Sequence, residues 1–186
     1  MPADLAPGLW FWRHPRAEAA AGRCVGRTDL ALDPRRAKRL AHRIRQQARR
    51  HGLPRCLQVS PLRRCADVGR WLRRWGWRLQ VLPELLELDF GRWDGQRWTD
   101  IPWAEVTAWE ADLLHHAPGG GETLATLAQR TQACRARWAG AGQPVLVVGH
   151  AGWLNAWRAV PPGCQQLPAS AWPAALGQGR LWREAW

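Results

Sequence analysis

Two apolar runs, Leu9-Trp10-Phe11-Trp12 and Val145-Leu146-Val147-Val148, constrain the fold of this chain more than any other feature. Each reads as a β-strand, and each stops at a histidine. Arg13-His14 follows the first, and Gly149-His150-Ala151-Gly152 follows the second. In open α/β sheets, sites form outside the carboxyl ends of the strands. Two strands far apart in sequence thus each deliver a histidine to that kind of edge. Either histidine alone reads more readily as an unrelated strand-end residue. The two together, with Arg13 beside the first, point to a catalytic pair.

The stretches between these strands alternate in type. Asp33-Pro34 predicts a helix N-cap and first residue. The apolar stripe Ala37, Leu40, Ala41, Ile44 and Ala48 follows, and Gly52 ends the helix. Cys56–Val59 reads as a second strand. Ser60-Pro61 is expected to cap the next helix, with stripe Leu62, Cys65, Ala66, Gly69 and Leu72 and an end at Gly76. Arg78–Leu82 reads as a third strand, broken by Pro83. Further helices are expected from about Trp103 to His115, from Glu122 onward, and from about Gly152 to Val160. Pro118-Gly119-Gly120-Gly121 reads as a flexible turn between the first two of these. Gly179–Arg183 reads as a last strand at a sheet edge. Alternating strands and helices predict an α/β fold, a three-layer α/β/α sandwich with a mostly parallel central sheet. The 186 residues are expected to form a single domain, with about 84–121 a segment inserted over the site.

Composition sets limits on partners. Lys plus Arg number 27 against 15 Asp plus Glu, a formal charge of +12, and Lys38 is the only lysine. Such a surface attracts anions, phosphates among them. Nucleic-acid binding is one reading. The other is compositional bias, since Arg, Ala, Gly, Pro and Trp are abundant and Tyr is absent. The arginines are spread along the chain and no nucleic-acid motif occurs, so nucleic acid is not expected as a partner. Arg36, Arg39, Arg43 and Arg50 lie mostly off the helical stripe and read as a solvated face. The 15 tryptophans read mainly as packing. Five cysteines without a Cys-x-x-Cys pair indicate neither a zinc site nor a disulfide framework, and the odd count fits a reducing cytosol. Cys24 reads as a structural thiol. No apolar run is long enough to span a bilayer, and Met1–Leu5 does not open a secretory signal. A cytoplasmic protein without a membrane partner is therefore expected. No His, Asp and Glu cluster has metal-ligand spacing, so neither a metal nor another cofactor is expected.

Four pieces can converge at the carboxyl edge: Arg13-His14, Ser60-Pro61-Leu62-Arg63-Arg64, Glu87-Leu88-Asp89-Phe90-Gly91 and His150. These residue types suit phosphoryl transfer. A neutral imidazole can act as nucleophile and form a covalent intermediate. The transferred group is anionic, and arginine forks neutralise its oxygens better than lysine. Arg13, Arg64 and a protonated His150 could supply that charge. Free N–H groups at the helix start near Ser60 could add to it. Glu87 could protonate the leaving alcohol, with Glu84 and Asp89 as rival acids.

In kind and order, these motifs resemble the histidine phosphatase superfamily, also called phosphoglycerate mutase-like. The resemblance spans roughly residues 9–158. It implies that His14 is the phosphorylated nucleophile, that Arg13, Arg64 and His150 form the phosphate pocket, and that Glu87 is the proton donor. Spacing from Ser60 selects Arg64, leaving Arg63 to solvent or packing. Within the superfamily the chain looks most like α-ribazole phosphatases. Arg13-His14-Pro15-Arg16, Cys24-Val25-Gly26-Arg27-Thr28-Asp29-Leu30, Phe90–Gly95 with Trp98, and Pro118–Glu122 carry that likeness. It implies a small phosphorylated substrate, α-ribazole 5′-phosphate or a cobalamin precursor. Arg27 and Thr28 lie in a loop that could close over the substrate, and Trp93 and Trp98 read as packing beneath the insert. Pro15 and Arg16 depart from the general pattern, which has Gly after the histidine. Proline removes a backbone donor there, and Arg16 could replace part of the lost attraction. The rival readings are a phosphoglycerate mutase, a phosphatase for other substrates, and a non-catalytic arginine-rich protein that binds phosphate or nucleic acid. The short chain favours a phosphatase over a mutase.

Overall fold

A computed structural model describes residues 6–186; the Met1–Leu5 reading lies outside the described residues. In chain order the elements are β1 (Gly8–Arg13), α1 (Pro34–His51), β2 (Cys56–Val59), α2 (Arg63–Arg74), β3 (Arg78–Val81), α3 (Trp103–Ala111), α4 (Leu124–Ala139), β4 (Val145–Gly149), α5 (Ala151–Ala159) and β5 (Leu181–Ala185). The strands form one sheet of order β3-β2-β4-β1-β5. Only β5 runs antiparallel, at the edge beside β1. The central strands are buried on both faces, as expected where helices cover a parallel sheet. Leu9, Phe11, Val145 and Val147 face one core with α4 and α5. Trp10, Trp12, Leu146 and Val148 face the other with α1 and α2. The result is the three-layer sandwich that the apolar runs and helical stripes imply.

Local chemistry explains most element ends. Asp33 accepts from the Arg35 N–H at 2.8 Å, and Gly52 closes α1 in the left-handed region at φ 64°. The start of α2 differs from the expectation. The helix begins at Arg63, and Leu62 occupies the cap position without a side-chain bond. Ser60 is instead engaged by His150, and Asp29 takes the Arg63 N–H at 2.6 Å. Helix α3 also stops early, at Ala111, so His115 and His116 lie in the turn beyond it. Thr123, not Glu122, caps α4, accepting from the Thr126 N–H at 3.1 Å.

The segment Pro118–Gly121 is a docked backbone contact, not a flexible turn. A side chain at Gly119, where φ is 60°, would collide with the Phe90 carbonyl, and one at Gly121 with the Asp89 carbonyl. The Glu122 N–H then donates to Asp89 O at 2.8 Å. This contact clasps the irregular stretch that follows β3 against the body of the fold. Trp93 is buried beneath it with Cys24 and Ile101. Burial pushes the Cys24 thiol up to about 12, with Asp94 adding to the effect, so the thiol is inert.

Candidate active site

The parallel pairing of β1 and β4 builds the centre of the site. Trp12 pairs with Val148 and Arg13 with Gly149, so the next residues on each strand, His14 and His150, emerge side by side. Their ring centroids are 5.1 Å apart at an interplanar angle of 61°. A cavity of about 420 Å³ opens at this edge and is lined by Arg13, His14, Arg64 and Glu87 among others. Four of the five expected site residues therefore surround one space, and the fifth, His150, stands directly behind it.

His14 is buried and its Nδ1 lies 2.6 Å from the Pro15 carbonyl. A carbonyl only accepts, so Nδ1 carries the proton and Nε2 keeps the lone pair. Burial, reinforced by the nearby Arg64 and Arg13 charges, pushes the imidazole down to about 3, and the Pro15 bond opposes this only in part. The ring is therefore neutral near pH 7, as a nucleophile requires. Pro15 thus contributes through its carbonyl. Arg16 is exposed, and its main-chain carbonyl accepts from Arg36; its side chain does not line the cavity.

Arg64 is 1% exposed and fixed by three bonds. Its Nε donates to His150 Nδ1 at 3.3 Å, its Nη1 to Thr28 O at 2.7 Å, and its Nη2 to Gly26 O. Two N–H groups remain for an anion. Arg63 is exposed, as the spacing argument expects. His150 accepts from Arg64 at Nδ1, so its proton is on Nε2, which donates to Ser60 Oγ at 2.8 Å. Burial, then the Arg64 charge, push His150 well below the ordinary histidine range. The structure thus holds a neutral His150 that orients Arg64, in place of the expected imidazolium. Of the helix-start N–H groups expected to assist, that of Arg63 is spent on Asp29, that of Leu62 on Ser60 Oγ, and those of Cys65 and Ala66 on Leu62 O.

Glu87 reaches the opposite wall. Its Oε1 accepts from Leu88 N at 3.0 Å and Trp153 N at 2.9 Å, and its Oε2 from Gly152 N at 3.0 Å. The N-terminus of α5 therefore fixes the carboxyl group, an arrangement suited to negative charge. The rival acids are placed elsewhere: Asp89 pairs with Arg27 at 3.2 Å and Glu84 with Arg137 at 3.3 Å, and neither lines the cavity.

Arg27 and Thr28 do not reach the cavity. Arg27 is held by Asp89 and by Glu122, and the Thr28 hydroxyl donates to Asp94 at 2.7 Å. Asp94 also accepts from the N–H groups of Gly26, Arg27 and Thr28. These two residues lock the loop whose carbonyls hold Arg64.

The sequence reading missed the C-terminal tail. Leu176 O accepts from Arg13 Nη1 at 2.7 Å, and Trp172, Ala175 and Gln178 line the cavity. A main-chain carbonyl leaves no side-chain signature, so nothing in the sequence marks this contact. Trp98, read as packing, is 40% exposed and also lines the cavity, with Trp109 and Phe90. Among the described residues, no helix is long and apolar enough to cross a membrane.

Fold and site together define an α/β protein with a cavity at the carboxyl edge of its parallel strands, lined by two arginines, a histidine and a glutamate. Residues 9–166 match the histidine phosphatase superfamily (branch 1), and the chain belongs to that family. It is similar to the native structure of mycobacterial glucosyl-3-phosphoglycerate phosphatase, at 27% identity and TM-score 0.76, covering 96% of this chain and 90% of that one. The complex of that enzyme with inorganic phosphate matches at 27% identity and TM-score 0.73, covering 96% and 89%. The α-ribazole phosphatase from Shigella flexneri matches at 26% identity and TM-score 0.72, covering 95% and 89%. No functionally curated protein matches it by sequence.

Proposed function

We propose that this phosphatase-family chain is a metal-independent phosphomonoesterase working through a phosphohistidine. The observation that carries this reading is His14. It is a neutral imidazole whose tautomer leaves Nε2 as the nucleophile, on a cavity wall shared with two arginines and a carboxyl group. Nε2 attacks phosphorus, and the bond to the leaving alcohol oxygen breaks. Arg13 and Arg64 neutralise the equatorial oxygens as charge redistributes. Glu87 gives a proton to the departing alkoxide. Its bed of N–H groups suits the carboxylate this step leaves behind. That carboxylate then takes a proton from water attacking the phosphohistidine, which releases phosphate and restores His14. His150 contributes by aiming Arg64.

The wall beyond the phosphate end is apolar and aromatic, with Val25, Leu88, Phe90, Trp98, Trp109 and Trp172. A flat apolar leaving group fits such a wall. This favours α-ribazole 5′-phosphate or a related cobalamin precursor, whose benzimidazole would lie there. Phosphorylated sugar acids are the second reading, favoured by the likeness to the glucosyl-3-phosphoglycerate enzyme and by Arg23 and Gln178 on the same wall. Two measurements test these readings. Acid-quenched enzyme should carry acid-labile phosphate that His14→Ala lacks, and phosphate release by that variant should fall at least a thousandfold; a His14→Ala protein with full turnover overturns the mechanism. In kcat/KM, α-ribazole 5′-phosphate should exceed glucosyl-3-phosphoglycerate and 3-phosphoglycerate; the reverse order moves the substrate to the sugar acids.

A further inference from the structure

Besides Arg13 Nε, two side-chain polar atoms of residues on the cavity wall have no partner among the described residues. Asn155 stands one turn into α5, on the face it shares with Ala151 because residues four apart align. Both residues line the cavity. The amide is 2% exposed, and its Nδ2 donates to Pro173 O at 2.6 Å, which fixes which end is nitrogen. Its Oδ1 is buried and accepts no hydrogen bond among the described residues. Trp109, on the inserted segment, lines the same cavity, and its Nε1–H is also buried without an acceptor. Leaving buried polar groups unpaired is costly, and such groups need an explanation. The nucleophile, the arginines and Glu87 make no use of either one. A substrate that brings both an acceptor and a donor would satisfy both.

We infer that Asn155 and Trp109 form a leaving-group subsite that selects substrates bearing free sugar hydroxyls: one hydroxyl donates to Asn155 Oδ1 and another accepts from Trp109 Nε1–H. The inference rests on the riboside reading above and extends it. Aromatic walls alone hold the ring of the leaving group and are indifferent to its sugar. A site built to pair a hydroxyl rejects the analogue without it far more strongly than an apolar pocket rejects a missing methylene. Pro173 belongs to the tail, so the tail also sets the orientation of this subsite.

The experiment compares kcat/KM for α-ribazole 5′-phosphate and its 2′,3′-dideoxy analogue. The wild-type protein should prefer the hydroxylated substrate by about tenfold or more. Asn155→Ala and Trp109→Phe, the second of which keeps an aromatic ring, should each shrink that preference by roughly threefold to tenfold. Equal rates for the two substrates in the wild type overturn the subsite and leave the riboside reading standing. A wild-type preference that both variants keep in full also overturns it. Hydrolysis of neither substrate overturns both readings.

Discussion

At the scale of single residues, the site depends on which atoms are already committed. His14 has one ring nitrogen tied to the Pro15 carbonyl, so the other is free for chemistry. Arg64 spends three bonds on its surroundings, and Arg13 spends one on Leu176 while its buried Nε has no partner among the described residues. Arg13 is thus the less constrained of the two proposed phosphate ligands. Glu87 is held by backbone N–H groups alone. Glu87→Gln should keep the shape of the side chain and one of its two acceptor oxygens, at the cost of setting its NH2 against the remaining N–H, and should lose the proton. Its kcat on an alkyl phosphate should fall by a factor of about 10²–10⁴. The loss should be much smaller on p-nitrophenyl phosphate, whose leaving group needs little protonation. Equal losses on both substrates would remove Glu87 from the role of acid.

At the scale of elements, the loop 24–29 is structural, and the acids that tie it are Asp89, Asp94 and Glu122. Asp94 accepts four hydrogen bonds from Gly26, Arg27 and Thr28. Asp94→Ala should cost about 2–4 kcal/mol in urea unfolding, since several partners lose a charged acceptor at once. It should also lower kcat/KM, because the Gly26 and Thr28 carbonyls position Arg64; an unchanged kcat/KM would disconnect the loop from the site. The same loop shows why part of the site was legible in sequence and part was not. His14 and His150 directly follow strands and Arg64 lies in the first turn of α2, so local apolar runs and spacing locate them; Glu87 lies in irregular chain beyond β3, and only the motif resemblance singles it out from Glu84 and Asp89. The fates of Arg27 and Thr28 depend on Asp89, Asp94 and Glu122, dozens of residues away, and no local pattern encodes that pairing. Ser60-Pro61 shows the same thing at a helix end. Its cap chemistry is sound locally, but His150 claims the hydroxyl from another strand. The docking of Pro118–Gly121 rests on backbone carbonyls, which a reading of side chains passes over.

At the scale of the whole molecule, two buried histidines lie at the carboxyl edge of the sheet in a cationic protein. Both are held below the ordinary value of 6.5, and His14 falls to about 3. Below 6.5 the unfolded chain therefore binds protons that the native state refuses, so stability rises with pH through this window. It is complete above about 6.5 and is lost as pH falls towards 3. Each histidine contributes a slope of up to about 1.4 kcal/mol per pH unit. Urea midpoints should drop between pH 7 and pH 5, and His14→Gln should flatten that drop. A midpoint independent of pH over this range would contradict the burial of charge-averse imidazoles.

The bond from Arg13 to Leu176 makes the cationic wall of the cavity depend on the tail. The carbonyl that steadies the arginine at the end of β1 comes 163 residues further along the chain. Chains truncated after Pro168 should bind phosphate more weakly than the full chain, a difference equilibrium dialysis with inorganic phosphate would register. A chain whose parallel strands have paired before its tail docks would thus hold His14, Arg64, Glu87 and His150 together while the Arg13 side chain still lacked its carbonyl partner.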